Sequence, residues 1–103
     1  MPLLTALPMI VARCNPAFPA DGIRIDCATI ADVARIYEEH LHITLRPIPG
    51  RGECFWLSFA DDPDRAISME IHIERDGKDQ CVKNDLRFEL HHSDVVKLMF
   101  KIC

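Results

Sequence analysis

Apolar and polar positions alternate most cleanly between Ala66 and Arg75. Ile67, Met69, Ile71 and Ile73 fall on one side, and Ser68, Glu70, His72 and Glu74 on the other. A period of two is the pattern of a half-buried strand. Asp76-Gly77 follows at once, a dipeptide suited to a two-residue hairpin turn because both positions tolerate left-handed backbone. The turn predicts a register with Arg75 opposite Lys78, which sets His72 against Cys81, Ile71 against Val82, Met69 against Asn84 and Ile67 against Leu86. Leu86, Phe88 and Leu90 continue the apolar face, so the second strand is expected to run on through them. Asn84 is the polar exception, where a bulge or a contact with a sheet edge is expected.

From Thr29 to Leu41 the period becomes helical. Ile30, Val33, Ala34, Tyr37 and Leu41 make one apolar stripe, with Asp32, Arg35, Glu38 and Glu39 largely on the other side. Thr29 is placed to cap the first turn, and Asp32 three residues on is a short capping-box partner.

The rest reads mainly as strands and turns. Met9–Arg13 has strand composition and follows Pro8, and a loop carrying two prolines and Asp21-Gly22 leads to a short strand at Ile23–Asp26. His42–Ile48 ends in Pro47 and Pro49, which cannot donate to a ladder, so it is expected either as an edge strand or to break there. Pro49–Gly52 is a turn with Arg51 at its tip. Glu53–Ala60 then alternates Phe55, Leu57 and Phe59 with Cys54, Trp56 and Ser58. Ser93–Cys103 fits two patterns. As a helix, Ser93 caps it, Val95, Leu98, Met99 and Ile102 form a stripe, and Lys97 and Lys101 sit near the favourable C-terminal end. As a strand, Val96, Leu98 and Phe100 share a face. The helix is slightly favoured. The expected fold is α+β, with one main helix packed on one face of an antiparallel sheet of about four to six strands, and a short C-terminal helix on the helical option.

The chain of 103 residues is apolar enough, at 49% hydrophobic, to fold rather than stay disordered, and its length suits a single domain over residues 1–103. Its net charge of −4, with twelve Lys and Arg spread singly, disfavours direct nucleic-acid binding. The first basic residue, Arg13, follows the apolar start instead of preceding it, and no apolar run reaches membrane-spanning length. A soluble, cytoplasmic protein without a membrane partner is therefore expected. Gly50-Arg51-Gly52 lacks the Lys-Ser/Thr of a phosphate loop, so no cofactor is expected.

Five cysteines, an odd number with no Cys-x-x-Cys, read as reduced thiols, Cys103 being the one most open to oxidation. The five histidines show no paired helical spacing, so no metal is expected.

Two constellations carry candidate chemistry. Asp61, Asp62 and Asp64, with Glu38 and Glu39 of the helix, would form an acidic surface anchored by Trp56 or Phe100. This points to a non-enzymatic protein-binding module in the format of small acidic immunity and phage anti-defence proteins, anti-CRISPR inhibitors included. Such a protein would block a larger protein or protein–nucleic-acid complex stoichiometrically. The alternative is a metal-independent ribonuclease-like hydrolase built on the hairpin's polar face. There His72, His91, Glu70 and Glu89 would move protons and Arg87 would hold the phosphate, a layout analogous to that of small microbial ribonucleases. A homodimer through the apolar C-terminal segment is a further expectation.

Overall fold

The computed structural model describes residues 1–50 and 52–101. Arg51, Ile102 and Cys103, assigned above to a turn tip and the apolar tail, lie outside the described residues. In chain order the elements are β1 (Leu3–Ala6), α1 (Pro8–Cys14), β2 (Ile23–Arg24), α2 (Ile30–Leu41), β3 (Ile43–Pro47), β4 (Phe55–Phe59), β5 (Asp62–Arg75), β6 (Lys78–Cys81) and β7 (Val95–Phe100). The protein is α+β and mostly sheet. The strands form one sheet in the order β2-β1-β7-β5-β4-β3, with β6 also paired to β5. The sheet is mixed, not purely antiparallel, because β1 runs parallel to β7.

The hairpin has its expected register. Arg75 pairs with Lys78 and His72 with Cys81, through a turn in which Asp76 and Gly77 take φ of 54° and 75°. The ladder stops there instead of reaching Leu90. Val82 still gives its N–H to the Ile71 carbonyl at 3.1 Å, but Lys83 turns into left-handed backbone. β4 already occupies this edge of β5, pairing Leu57 with Ile67 and Phe55 with Met69, so Leu86 and Asn84 have no place on it. Asn84 instead donates to the Ile48 carbonyl at 2.6 Å, the expected contact with the edge region. The displaced segment crosses to the start of α2, where Leu86 and Phe88 carbonyls accept the N–H groups of Ala31 and Ile30. These are among the helix donors that have no partner within the helix itself.

The C-terminal segment is a strand, which corrects the helical preference. β7 pairs with β1 on one side and β5 on the other. Satisfying both neighbours outweighs weak local propensity, and Val95 and Val96 are good strand residues. β7 is thus paired along both edges, and its Val96 and Leu98 are buried in the core.

The opposite error occurs at Met9–Arg13, which is the middle of α1. Pro8 stands in its first turn, where its missing N–H costs nothing and its fixed φ suits a helix. The apolar start therefore divides into β1 and a short helix that fully buries only Ile10. Gly22, at φ 88°, then brings the chain back so close to β1 that a Cβ would lie 2.5 Å from the Leu4 carbonyl oxygen.

α2 follows its pattern closely. The Asp32 carboxylate accepts the N–H of Thr29 at 3.3 Å and of Ala28 at 3.0 Å, and every stripe residue is buried. Together with Ile10 and Phe18, the stripe packs on the sheet face formed by Leu4, Ile43, Leu45, Phe55, Leu57, Met69, Ile71, Ile73, Val96 and Leu98. Tyr37, fully buried, donates its hydroxyl to the Thr5 carbonyl.

Beside this core, buried Asp94 fastens the start of β7 to the end of β5. Arg75 grips its carboxylate in a two-pronged contact of 2.8 and 2.7 Å, and the His91 N–H donates to it at 2.7 Å. The Arg75 hydrogen bond outweighs burial and holds the Asp94 carboxyl below the usual carboxylate range. A depressed native pKa gives stability that is present above the ordinary carboxylate pKa and lost as pH falls through the native value. Asp94→Asn is expected to cost roughly 1.5–3 kcal/mol at neutral pH and to flatten the acid limb of stability, measured by urea unfolding across a pH series. An unchanged acid limb would show that Asp94 does not drive it.

Candidate functional site

Strand alternation aims a second set of side chains away from the helices. β5 supplies Ser68, Glu70, His72 and Glu74, β6 supplies Asp79 and Cys81, and β4 supplies Trp56, with Cys54 one step before it. Met99 and Lys97 of β7 stand directly opposite Glu70 and His72. The pattern predicts a solvated face here, yet Glu70 is fully buried and His72 is 7% exposed. Neighbours on both flanking strands enclose them.

A buried carboxylate is tolerable only when hydrogen-bonded or paired. His72 Nε2 lies 2.6 Å from a Glu70 oxygen, and Nδ1 lies 2.9 Å from an Asp79 oxygen. Burial alone would lower the imidazole pKa, but the hydrogen bonds to Glu70 and Asp79 raise it above the ordinary histidine value. The hydrogen bond from His72 correspondingly holds Asp79 low. Lys97 extends the chain of charges, at 3.3 Å from Glu74 and 3.5 Å from Asp79. With both ring nitrogens held by carboxylates, His72 is suited to fixing Glu70 in place; it has no nitrogen left over to take a proton from a substrate.

The five residues of the hydrolase alternative are not gathered on this face. Glu70 and His72 meet, but the strand that was to carry the others ends at Cys81. Arg87 is exposed in the crossing segment, Glu89 forms an isolated bridge with Thr29, and His91 is exposed in the turn before β7.

The residues of the acidic surface also separate. Glu38 accepts the Leu45 N–H at 2.9 Å and pairs with Arg46 at 2.7 Å, fastening α2 to β3. Glu39 faces Arg35 at 3.7 Å. Trp56 is 40% exposed but lies on the sheet face away from the helices. Asp61, Asp62 and Asp64 remain together in the β4–β5 turn and the start of β5. Arg13 of α1 reaches Asp61 at 2.7 Å and stacks 4.4 Å over the Phe59 ring.

Sequence reasoning missed what lies beside that turn. Between α1 and the strand ends is an open cleft of about 310 Å³, with Ile10, Phe59, Ile67 and Phe100 in its lining. Asp62, Arg65 and Met9 also line it, and Met9 is 70% exposed. Reading Met9–Arg13 as a strand hid this cleft, since it exists only once those residues coil. Also missed was the convergence of Cys54, Glu70 and Cys81, whose sulfurs and carboxylate oxygen lie within 4.8 Å of one another. The hairpin register signalled Cys81, while nothing in the sequence aligned Cys54 with β5.

Comparison with known proteins finds no matching family model, no similar curated protein and no similar solved structure. Among the described residues, no helix is long and apolar enough to cross a membrane.

His72→Ala, which leaves Glu70 buried beside a cavity, is expected to cost about 3–5 kcal/mol in urea unfolding. Asp79→Asn, altering only a largely exposed partner, is expected to cost under about 1 kcal/mol. Equal losses would show that burial of Glu70 does not govern the cluster.

Proposed function

We propose that the protein is a non-enzymatic binding module whose docking surface is the Met9 cleft together with the Asp61–Asp64 turn. The observation that carries this reading is an open apolar cleft, lined also by Asp62, Arg13 and Arg65, beside the turn and strand start that carry Asp61 and Asp64. A central apolar pocket ringed by polar groups is how protein interfaces concentrate their affinity. The cleft volume, about 310 Å³, suits one or two apolar side chains. It is at the small end of what a cofactor or drug-sized ligand occupies, about 300–1,000 Å³.

Asp64 is exposed and has no ion-pair partner among the described residues, and Asp62 faces the cleft. The preferred occupant is therefore a protein segment that presents an apolar side chain flanked by basic residues. With a net charge of −4, the module would be steered toward a basic surface. The nucleic-acid site of a larger protein is such a surface, and stoichiometric blockade there would make this an inhibitor of the immunity or anti-defence kind. In this reading the cleft replaces Trp56 as the apolar anchor.

The test starts with the full chain as bait in the native host, followed by binding measurements with the purified protein it retains. Met9→Glu and the Asp62→Lys, Asp64→Lys pair are each expected to weaken a 1:1 complex at least tenfold, and Trp56→Ala to leave it unchanged. The charge-reversed pair should also lose most of the salt dependence. Retention of nothing, or affinity indifferent to the cleft variants, would overturn the proposal.

A further inference from the structure

One edge of β5 is shared by two strands that meet end to end. β4 begins at Phe55, opposite Met69, and β6 ends at Cys81, opposite His72. Cys54, one residue before β4, and Cys81 thus approach each other across the break, with Glu70 on β5 between them. All three side chains point to the face away from the helices. Their donor atoms lie within 4.8 Å of one another. A tetrahedral zinc ion, with Zn–S of about 2.3 Å and Zn–O of about 2.0–2.2 Å, sets donors roughly 3.5–3.8 Å apart. Small side-chain rotations close that difference.

We propose that Cys54, Cys81 and Glu70 bind a zinc ion, with solvent completing a tetrahedron on the half-exposed Cys81 side. The donor set selects the metal. Two thiolates exclude magnesium and calcium, a carboxylate is a poor ligand for copper(I), and zinc accepts both. Three protein ligands and one open position are the arrangement of a reactive or exchangeable site, not of a closed structural one.

The surroundings fit this role. His72 holds one Glu70 oxygen at 2.6 Å and is itself held by Asp79, the kind of outer hydrogen bonding that orients a metal-bound carboxylate. Lys83 and Lys101 place positive charge near Cys54. Those two ammonium groups would offset the excess negative charge of two thiolates and a carboxylate around a divalent ion. Binding converts two thiols to thiolates and releases two protons to solvent. The spacing of cysteines along the chain gave no zinc pattern because Cys54, before β4, and Cys81, at the end of β6, are brought beside Glu70 by the pairing of both strands to β5. The site is on the opposite sheet face from the Met9 cleft, and the proposal is independent of the binding-module reading.

The test uses the full-length, fully reduced protein titrated anaerobically with cobalt(II), then with zinc. The expected result is one equivalent of cobalt bound with sulfur-to-cobalt charge-transfer absorption and intense visible bands of tetrahedral geometry, all abolished by one equivalent of zinc. Cys81→Ser, at a half-exposed position that tolerates the change, should remove much of the charge transfer and weaken binding at least 100-fold. His72→Gln should weaken it about 10–100-fold, and Cys27→Ser should leave the spectrum intact. Circular dichroism of each metal-free variant separates loss of the site from loss of the fold. Three results would overturn the proposal: no cobalt–thiolate absorption in the folded wild type, undiminished binding in the Cys54→Ser, Cys81→Ser double variant, or a Cys54–Cys81 disulfide in protein purified anaerobically without reductant.

Discussion

Backbone pairing along β5 is the constraint from which the rest of the structure follows. The strand runs for 14 residues from Asp62 to Arg75, and its buried N–H and C=O groups must find partners along its length. β7 serves one edge. The other is divided between β4, beside the first half, and β6, beside the second. That division sends residues 82–94 away from the sheet and toward the first turn of α2. It draws the C-terminal segment into the centre of the fold, and it leaves the break at which Cys54, Glu70 and Cys81 meet.

The two faces of β5 are solved by different physics. On the helix side, Met69, Ile71 and Ile73 are fully buried among apolar side chains, where packing and exclusion of water stabilise the sheet. On the other side no helix lies over Glu70 and His72, yet both are removed from water by their strand neighbours. Their burial is offset by a carboxylate–imidazole–carboxylate chain, whose strength depends on good geometry at both ring nitrogens. A cluster of that kind is costly to leave incomplete. It therefore keeps Glu70 in one orientation, which is what a metal-binding carboxylate needs.

Charge has a second use at the periphery. Glu38, Glu39 and Asp61 each face an arginine, so most of the acidic surface foreseen from composition is locally matched. Exposed pairs of this kind add little stability. Asp62 and Asp64 stand apart: the start of β5 carries both, and Asp62 lines the cleft beside Ile10 and Phe59.

Local signals identified the elements whose partners are adjacent in the chain. Asp76-Gly77 defined the β5–β6 turn, and with it the His72–Cys81 pairing. Thr29, Asp32 and the apolar stripe defined α2, while Pro47 left an edge strand or a break open, and β3 is an edge strand that ends at Pro47. Where the partner is distant, local pattern misled. Met9–Arg13 has strand-like composition but coils behind Pro8, and Val95–Phe100 was finely balanced until β1 and β5 bracketed it. The acidic turn was legible, whereas the cleft beside it was not, because α1 and the strand ends come together only in the folded chain. By itself the sequence determined the α+β class, the hairpin register, the main helix and the −4 charge, since each depends on composition or on neighbours within a few residues. Tertiary structure alone decided the parallel β1–β7 pair, the burial of Glu70 and the meeting of Cys54 with Cys81. These depend on which strands share the edges of β5, a competition among segments far apart in the chain that no local pattern encodes.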